Sequence, residues 1–317
     1  MGGGRRAVAP VNWSYRVSGL TLGAERPLPY LNAVDDTWAP DVRIAFAPVP
    51  AQPAAKTSGL FHIHAPDLVD LVVPDRLTIR ISGGRQMTVA VAPDLEAGEL
   101  QTLLFGPAFA VLLHQRGSPP LHAGAVRVGE GALAIAGHSG AGKSTTVRAL
   151  VRRGCRLLCD DQLVVEAGTG MAHAGFPAMK LWGHAAAFFG EAVEAARRVR
   201  PGLDKFHLDA AEAFAPQAVP LRVICVLVPD PAAARPTAER LSSPQAVMAL
   251  GGLCHYGQTA DALGMRPAIF RWAAALAARV PVYVLRRPDD LAGIEEVADL
   301  VWTLARQHAP EAAETPA

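Results

Sequence analysis

The sequence reads Ala132-Leu-Ala-Ile-Ala-Gly-His-Ser-Gly-Ala-Gly-Lys-Ser-Thr-Thr-Val-Arg-Ala-Leu-Val151 near the middle of its 317 residues. An apolar stretch enters a glycine-rich turn, and a helical pattern leaves it. The turn fits the pattern GxxxxGK[ST], in which glycines let the backbone curl so that its N–H groups face a polyphosphate. A strand, a phosphate-binding loop and a helix in this order predict an α/β fold.

The loop predicts a nucleotide site. Lys143 is expected to reach the β- and γ-phosphates, and the Ser144 hydroxyl is expected to bind Mg²⁺. The N-terminus of the following helix adds a positive end. We therefore expect ATP, with GTP as the alternative, and Mg²⁺ as cofactors. The nucleotide-binding residues are predicted to be Gly137, His138, Ser139, Gly140, Ala141, Gly142, Lys143, Ser144 and Thr145.

Two adjacent carboxylates, Asp160 and Asp161, follow the predicted strand Arg156–Cys159. In an open α/β sheet, ligands collect at the carboxyl ends of the strands. Adjacent residues of a strand point to opposite sides. One carboxylate is therefore expected at Mg²⁺ and the other at the group that accepts a phosphate.

Two further kinds of residue are candidates for the site. His122 stands at the start of the strand pair that leads into the loop, where a histidine by itself is more often structural. Among the 30 basic residues lysine is rare, at positions 56, 143, 180 and 205. Lys180 and Lys205 are interpreted either as charges on the acceptor side or as solvated surface residues. No metal-ligand spacing joins the histidines at 62, 64, 114, 138, 173 and 184, which are assigned no ligand role.

Four segments together resemble the catalytic domain of bacterial HPr serine kinase/phosphorylase: Leu121-His-Ala-Gly-Ala-Val, Gly137–Ser144, Arg153-Gly-Cys-Arg-Leu-Leu and Asp160-Asp161. The resemblance is close over residues 121–166 and loose beyond them. It implies that the histidine, the loop lysine and serine and the paired aspartates form an active site. By this likeness Asp160 would be the acid/base group beside His122 and Asp161 would bind the metal, or the reverse.

The chain departs from that family at two places. Thr145 stands where the HPr kinases carry Glu, and Ala174–Trp182 lacks their Glu–Arg pair. These departures weaken the implication of phosphorylase activity and of HPr as the acceptor. The general layout is similar to the peptide kinases that accompany lasso-peptide biosynthesis, which implies a serine of a ribosomal precursor peptide as the acceptor.

Short alternating strand patterns from residue 13 to residue 93 predict a small antiparallel domain that is mostly β. We place it at residues 1–98, in front of an α/β, HPr-kinase-like P-loop domain at residues 99–317. Helices are predicted over residues 94–115, 144–153, 183–199, 244–249, 266–279 and 291–307. Strands are predicted over residues 15–22, 42–46, 76–81, 123–128, 132–136, 156–159, 222–228 and 280–285.

The composition excludes several classes of protein. Half of the residues are apolar, 19% are charged and the net charge is +1, which excludes a disordered chain and argues against a nonspecific nucleic-acid binder. No apolar run approaches the roughly 20 residues of a membrane-spanning helix. The four cysteines lack CxxC spacing and are predicted to be buried thiols. We expect a cytoplasmic protein without a nucleic-acid or membrane partner.

Together these features predict a kinase that uses ATP and Mg²⁺ to phosphorylate a serine of a protein or peptide. Two alternatives stay open at this stage. The first is a nucleotide-binding regulator or assembly factor without efficient transfer, and the second is a small-molecule kinase whose pocket is closed to a polypeptide. The sequence also leaves a homo-oligomer open.

Overall fold

The computed structural model describes residues 11–35, 39–194 and 197–308. Its N-terminal part contains an eight-stranded β-sheet. The order across this sheet is β1-β2-β3-β8-β7-β6-β5-β4. The strands are β1 (Trp13–Val17), β2 (Leu20–Ala24), β3 (Val42–Phe46), β4 (Lys56–Ser58), β5 (Phe61–Ala65), β6 (Leu68–Val73), β7 (Leu77–Ser82) and β8 (Gln86–Val91). The β-rich unit is confirmed, but the sheet is mixed because β3 pairs in parallel with both β2 and β8.

The segment 15–22, predicted as one strand, is a hairpin instead. Ser18 and Gly19 form its turn with φ angles of 55° and 79°, the conformation of a type I′ turn. The apolar residues stand at odd positions before the turn (15 and 17) and at even positions after it (20 and 22), so the alternation is interrupted there. That interruption was the signal of the two-residue turn.

The helix predicted over residues 94–115 is divided into three parts, which are α1 (Ala97–Leu103), a π-helical turn (Leu104–Ala108) and α2 (Phe109–Gln115). The π-helical turn contains Pro107, which has no N–H to donate within a helix. Two carbonyls of this turn accept hydrogen bonds from the Gln162 amide at 3.0 and 2.7 Å. Buried side chains of the whole segment pack into the core of the N-terminal sheet, although the predicted boundary at residue 98 assigns most of the segment to the second domain.

The second sheet is built around three parallel strands, β10, β16 and β18, with β9 antiparallel to β10 and to β11. Beyond β16 lie β13 and β12, and β17 pairs with β18. The strands are β9 (Ala123–Val128), β10 (Gly131–Ala136), β11 (Arg156–Cys159), β12 (Val164–Glu166), β13 (Met171–His173), β16 (Val219–Pro229), β17 (Thr237–Arg240) and β18 (Val282–Arg287). A separate two-stranded ribbon contains β14 (Ala178–Trp182) and β15 (Lys205–Asp209).

Helices cover both faces of this sheet. They are α3 (Lys143–Arg152), α4 (Gly183–Phe188), α5 (Ser243–Gly252), α7 (Arg266–Ala277) and α8 (Ile294–Gln307), whereas α6 (Gly257–Ala262) packs against α2 and β4. Leu133 and Ile135 of β10 pack with α3 and α8, whereas Ala132 and Ala134 face α5 and α7. A sheet with helices on both faces confirms the predicted α/β class.

The helix predicted over residues 183–199 is wrong beyond Phe188, where α4 ends. Gly190 follows in the left-handed conformation with φ of 70°, which stops a helix because glycine adopts it without steric cost. Residues 195 and 196 of the predicted helix lie outside the described residues.

Two smaller expectations concern cysteines and membrane spans. The four cysteines are buried free thiols, as predicted. In residues 11–35, 39–194 and 197–308, every helix is too short or too polar to cross a bilayer.

A buried charge network crosses the N-terminal sheet and makes its stability depend on pH. Arg80 donates two hydrogen bonds to Asp70 at 2.8 and 2.7 Å, and His64 Nε2 lies 3.0 Å from the same carboxylate. Burial alone would raise the pKa of Asp70, but these partners outweigh it and lower the pKa from its ordinary value of 3.8.

We expect Asp70→Asn to lower the free energy of unfolding by about 3 kcal/mol at pH 7, because it leaves Arg80 without its carboxylate. Because the pKa of Asp70 is lower in the folded chain than its ordinary value of 3.8, the ionised carboxylate stabilises the fold at pH values above 3.8. The difference in unfolding free energy between the two proteins should therefore shrink as the pH falls below 3.8. Urea unfolding of both proteins from pH 7 to pH 3 measures this difference. The exposed Asp67 gives a matched control in Asp67→Asn, and a difference that does not vary with pH contradicts the prediction.

Candidate active site

The predicted site residues meet because three chain segments reach one edge of the second sheet. Strand β9 is antiparallel to both β10 and β11. The start of β9 therefore lies at the edge where β10 and β11 end. His122 precedes β9, the glycine-rich loop follows β10, and the two aspartates follow β11.

The glycine-rich loop closes on itself and leads directly into α3. The amide of Ala141 donates to the carbonyl of His138 at 3.2 Å. Gly142 has φ of 94°, and a Cβ at this position would lie 2.8 Å from the guanidinium of Arg287. Glycine is thus required here both by conformation and by the close approach of a side chain.

Lys143 is the buried cation of the loop. Its side chain is 7% exposed, and Nζ donates to the carbonyl of His138 at 3.0 Å. Burial lowers its pKa to about 8, although the nearby charges of Asp161 and Asp160 oppose the shift. The ammonium is protonated at neutral pH and faces a shared pocket.

Arg287 is a site residue that the sequence analysis missed. It is the last residue of β18, and its Nε donates a hydrogen bond to the carbonyl of Ala141 at 3.0 Å. This hydrogen bond attaches the glycine-rich loop to the end of β18. The position of Arg287 as a basic residue at the end of a buried strand was the available signal.

Asp160 lies beside the loop serine. Its Oδ1 accepts a hydrogen bond from the Ser144 hydroxyl at 2.8 Å, and its Oδ2 accepts one from the main-chain N–H of Lys180 at 2.8 Å. Burial and the adjacent charge of Asp161 raise its pKa, despite the Lys180 N–H. A cation bound here would favour the ionised carboxylate.

Asp161 turns away from its neighbour towards the histidine. Its φ of 75° is left-handed, and its Oδ1 lies 3.2 Å from Nε2 of His122. Its Oδ2 accepts a hydrogen bond from Lys180 Nζ at 2.6 Å. Burial alone would raise the pKa of Asp161, but the Lys180 ammonium and the His122 hydrogen bond hold it well below its ordinary value.

These contacts correspond to the second of the two orders that the sequence left open. Asp160 lies at the loop serine, and Asp161 lies at His122. Both aspartates lie beyond the end of β11, and the left-handed φ of Asp161 directs its side chain away from that of Asp160.

The two downstream lysines lie on the β14–β15 ribbon. Lys180 is 8% exposed and ion-paired, so the interpretation of it as a solvated surface residue is wrong. Lys205 lines the pocket, with Nζ 5.7 Å from the ring centroid of Trp182. His207 of the same ribbon lies 2.9 Å from the Thr102 hydroxyl of α1, which attaches the ribbon to the N-terminal helical segment.

A pocket of about 440 Å³ brings most of these groups together. It lies within the size range of small-molecule sites. His122, Asp161, Lys180 and Arg287 contribute to its wall. Six of the nine predicted loop residues line it, namely Ser139, Gly140, Gly142, Lys143, Ser144 and Thr145, whereas Gly137, His138, Ala141 and the buried Asp160 are outside its lining.

Two groups of side chains place possible metal ligands close together. The hydroxyl of Ser144 and the carboxylate of Asp160 are hard oxygen donors 2.8 Å apart, which suits Mg²⁺. A second group contains His122, Asp161 and His255, each with one donor atom within 4.8 Å of the others. His255 was also missed from the sequence, where its place 133 positions beyond His122 gives no sign of contact.

Comparisons with known proteins give a distant structural likeness. No protein-family profile and no curated protein matches this chain. Solved structures do match, among them the HPr(Ser) kinase/phosphatase from Coxiella burnetii, with 15% sequence identity and a TM-score of 0.31 over 60% of this chain and 95% of that one. At this identity and TM-score the likeness adds nothing to the chemistry of the site.

Proposed function

We propose that the protein is a kinase that uses ATP and Mg²⁺ to phosphorylate a serine hydroxyl of a protein or peptide. One observation carries the proposal, which is the separation of the two adjacent carboxylates. Asp160 contacts the Ser144 hydroxyl of the glycine-rich loop, while Asp161 contacts His122 and Lys180 in the same pocket. In protein kinases, one acidic group binds the metal and another accepts the proton of the acceptor hydroxyl.

The nucleotide half of the site contains three kinds of donor. The loop sequence supplies main-chain N–H groups, and α3 adds its positive N-terminus. Lys143 supplies a compact charge for the β- and γ-phosphates. Arg287 braces the loop through the carbonyl of Ala141. These groups orient the triphosphate and neutralise part of its charge.

The metal half of the site consists of Ser144 and Asp160, which would hold Mg²⁺. A bound Mg²⁺ supplies neutralisation of negative charge on the phosphate oxygens. The Lys180 N–H fixes the outer oxygen of Asp160 and leaves its Oδ1 directed at Ser144.

The acceptor half of the site is built on Asp161. A serine hydroxyl hydrogen-bonded to this carboxylate is oriented for attack on the γ-phosphorus, as its oxygen forms the new P–O bond and the bond to the β–γ bridging oxygen breaks. The hydroxyl proton passes to Asp161, and ADP leaves. Because phosphoryl transfer depends mainly on positioning and charge, a carboxylate that is a weak base suffices.

The choice of acceptor rests on the sequence resemblance. That resemblance implies a serine of a protein or a ribosomal peptide. The exposed Trp182 and the half-buried Lys205 line the same pocket as Asp161, and a peptide side chain can contact them there.

The direct test incubates the full-length chain with ATP, Mg²⁺ and serine-containing peptides and proteins. We expect ADP formation and a mass gain of one phosphoryl group that fragmentation assigns to serine. Calorimetry measures nucleotide binding on the same sample. Tight ATP binding without transfer to any peptide, protein or small-molecule hydroxyl contradicts the kinase and supports a nucleotide-binding regulator.

A further inference from the structure

Two histidine rings are stacked at the acceptor half of the site. The imidazoles of His122 and His255 have centroids 4.5 Å apart and planes 6° apart. Nε2 of His122 lies 3.2 Å from Asp161 Oδ1. The ring of His255 therefore covers one face of the imidazole that contacts the acceptor carboxylate.

The main chain holds the two histidines in register. Leu121 and Cys254 form an antiparallel bridge. The amide of His122 donates to the carbonyl of Leu253 at 2.8 Å, and the amide of His255 donates to the carbonyl of Pro120 at 2.8 Å. This pairing places His122 and His255 on the same face as diagonal neighbours, within reach of ring-to-ring contact.

Two further contacts fix His255. Nε2 of His114, a buried residue of α2, donates to the carbonyl of His255 at 2.8 Å. The ring of Tyr256 packs on His255 with centroids 4.6 Å apart. His114 and Pro120 thus hold the main chain of His255, and the rings of Tyr256 and His122 pack against its imidazole.

Shared metal binding does not fit this geometry. The lone pair of an imidazole nitrogen lies in the plane of its ring, so two parallel stacked rings direct their lone pairs side by side and not towards one ion. Within the described residues, the buried Nδ1 of His255 has no hydrogen-bond partner. The face of the ring, and not its nitrogen, makes the contact.

The imidazole of His255 that stacks on His122 is uncharged. Burial lowers its pKa to about 3, although the charge of Asp161 opposes the shift. The ring is therefore neutral at physiological pH. A neutral ring fixes the plane of His122 and leaves the ion pair between Asp161 and Lys180 undisturbed.

We propose that His255 is a positioning residue, whose ring stacks on His122 and holds Nε2 of that imidazole towards Asp161. The effect on catalysis rests on the proposed function, whereas the stacking itself does not. His255 touches no reacting atom and acts only through His122.

The kinetic test compares His255→Ala with His255→Phe, because phenylalanine keeps a flat ring but has no ring nitrogen. We expect His255→Ala to lower kcat for phosphoryl transfer by roughly 10- to 100-fold, with the KM for ATP unchanged, since misplacement of a catalytic group costs about this much. His255→Phe should recover most of kcat. His62→Ala, a histidine of the N-terminal sheet, is the control. A Phe variant as impaired as the Ala variant overturns the proposal.

An NMR measurement tests the stacking without any activity. The Cε1–H resonance of His122, assigned by its loss in His122→Ala, should be shifted upfield by the ring current of His255. It should move downfield in His255→Ala and stay upfield, or move further upfield, in His255→Phe, because a phenyl ring has the stronger ring current. These shifts hold even if the protein transfers no phosphate, so failure of the kinase and failure of the stacking are distinguishable. An unmoved resonance in His255→Ala, or stoichiometric zinc in the purified protein that this variant loses, overturns the proposal.

Discussion

We expect Asp161→Asn to lower kcat for the proposed phosphoryl transfer by about 10³-fold and to leave the affinity for ATP nearly unchanged. The asparagine amide can still accept one hydrogen bond, but it has no charge to pair with the Lys180 ammonium and no basic oxygen for the serine proton. The nucleotide half of the site is formed by the glycine-rich loop, which Asp161 does not contact by any hydrogen bond in the described structure. Steady-state kinetics with the acceptor, together with calorimetry for ATP, separate the two effects.

Asp160→Asn provides the matched comparison, because it removes the neighbouring charge from the other half of the site. We expect its defect to lessen as the Mg²⁺ concentration rises, whereas the Asp161→Asn defect does not respond to Mg²⁺. Asp67→Asn, remote and exposed, serves as the unaffected control. An Asp161→Asn enzyme that Mg²⁺ rescues contradicts our assignment and restores the order in which Asp160 is the acid/base group.

Lys143→Met weakens ATP binding by about 10- to 100-fold, and it lowers kcat as well. The loss corresponds to a charge-assisted hydrogen bond to phosphate, about 1.5–3 kcal/mol. The contribution to kcat arises because the lysine also neutralises charge that develops on the transferred group. Calorimetric titration with ATP and single-turnover transfer measure the two effects separately.

The same substitution is expected to leave the melting temperature unchanged or to raise it. The ammonium of Lys143 is buried and its pKa is depressed to about 8, so the folded chain pays for holding it charged at neutral pH. The methionine has similar length and no charge. We therefore expect Lys143→Met to unfold at the same temperature or higher, with Lys56→Met as the exposed-lysine control. A marked drop in melting temperature would mean that the lost ATP affinity reflects damage to the fold.

Fold and site were predicted best from the sequence where a hydrophobic pattern and a functional motif occur in the same short segment. The strand, glycine-rich loop and helix around Lys143 were found because hydrophobic period and motif agree over adjacent residues. The contact of His122 with an aspartate was implied by the family resemblance, and the structure explains it because β9 runs antiparallel to β10 and β11. These features depend on short-range sequence information and on general rules of topology.

Other features depend on contacts that no local pattern encodes. The order of Asp160 and Asp161 is set by a left-handed φ at a non-glycine residue, which side-chain alternation does not predict. His255 reaches His122 through a single β-bridge between distant segments. The β14–β15 ribbon went unrecognised because its two strands are short and separated by α4 and the segment after it.

Lys180 contacts Asp160 through its main chain and Asp161 through its side chain. A single displacement of β14 therefore disturbs both carboxylates at once. An event that shifts this ribbon therefore acts on the metal half and the acceptor half of the proposed site together.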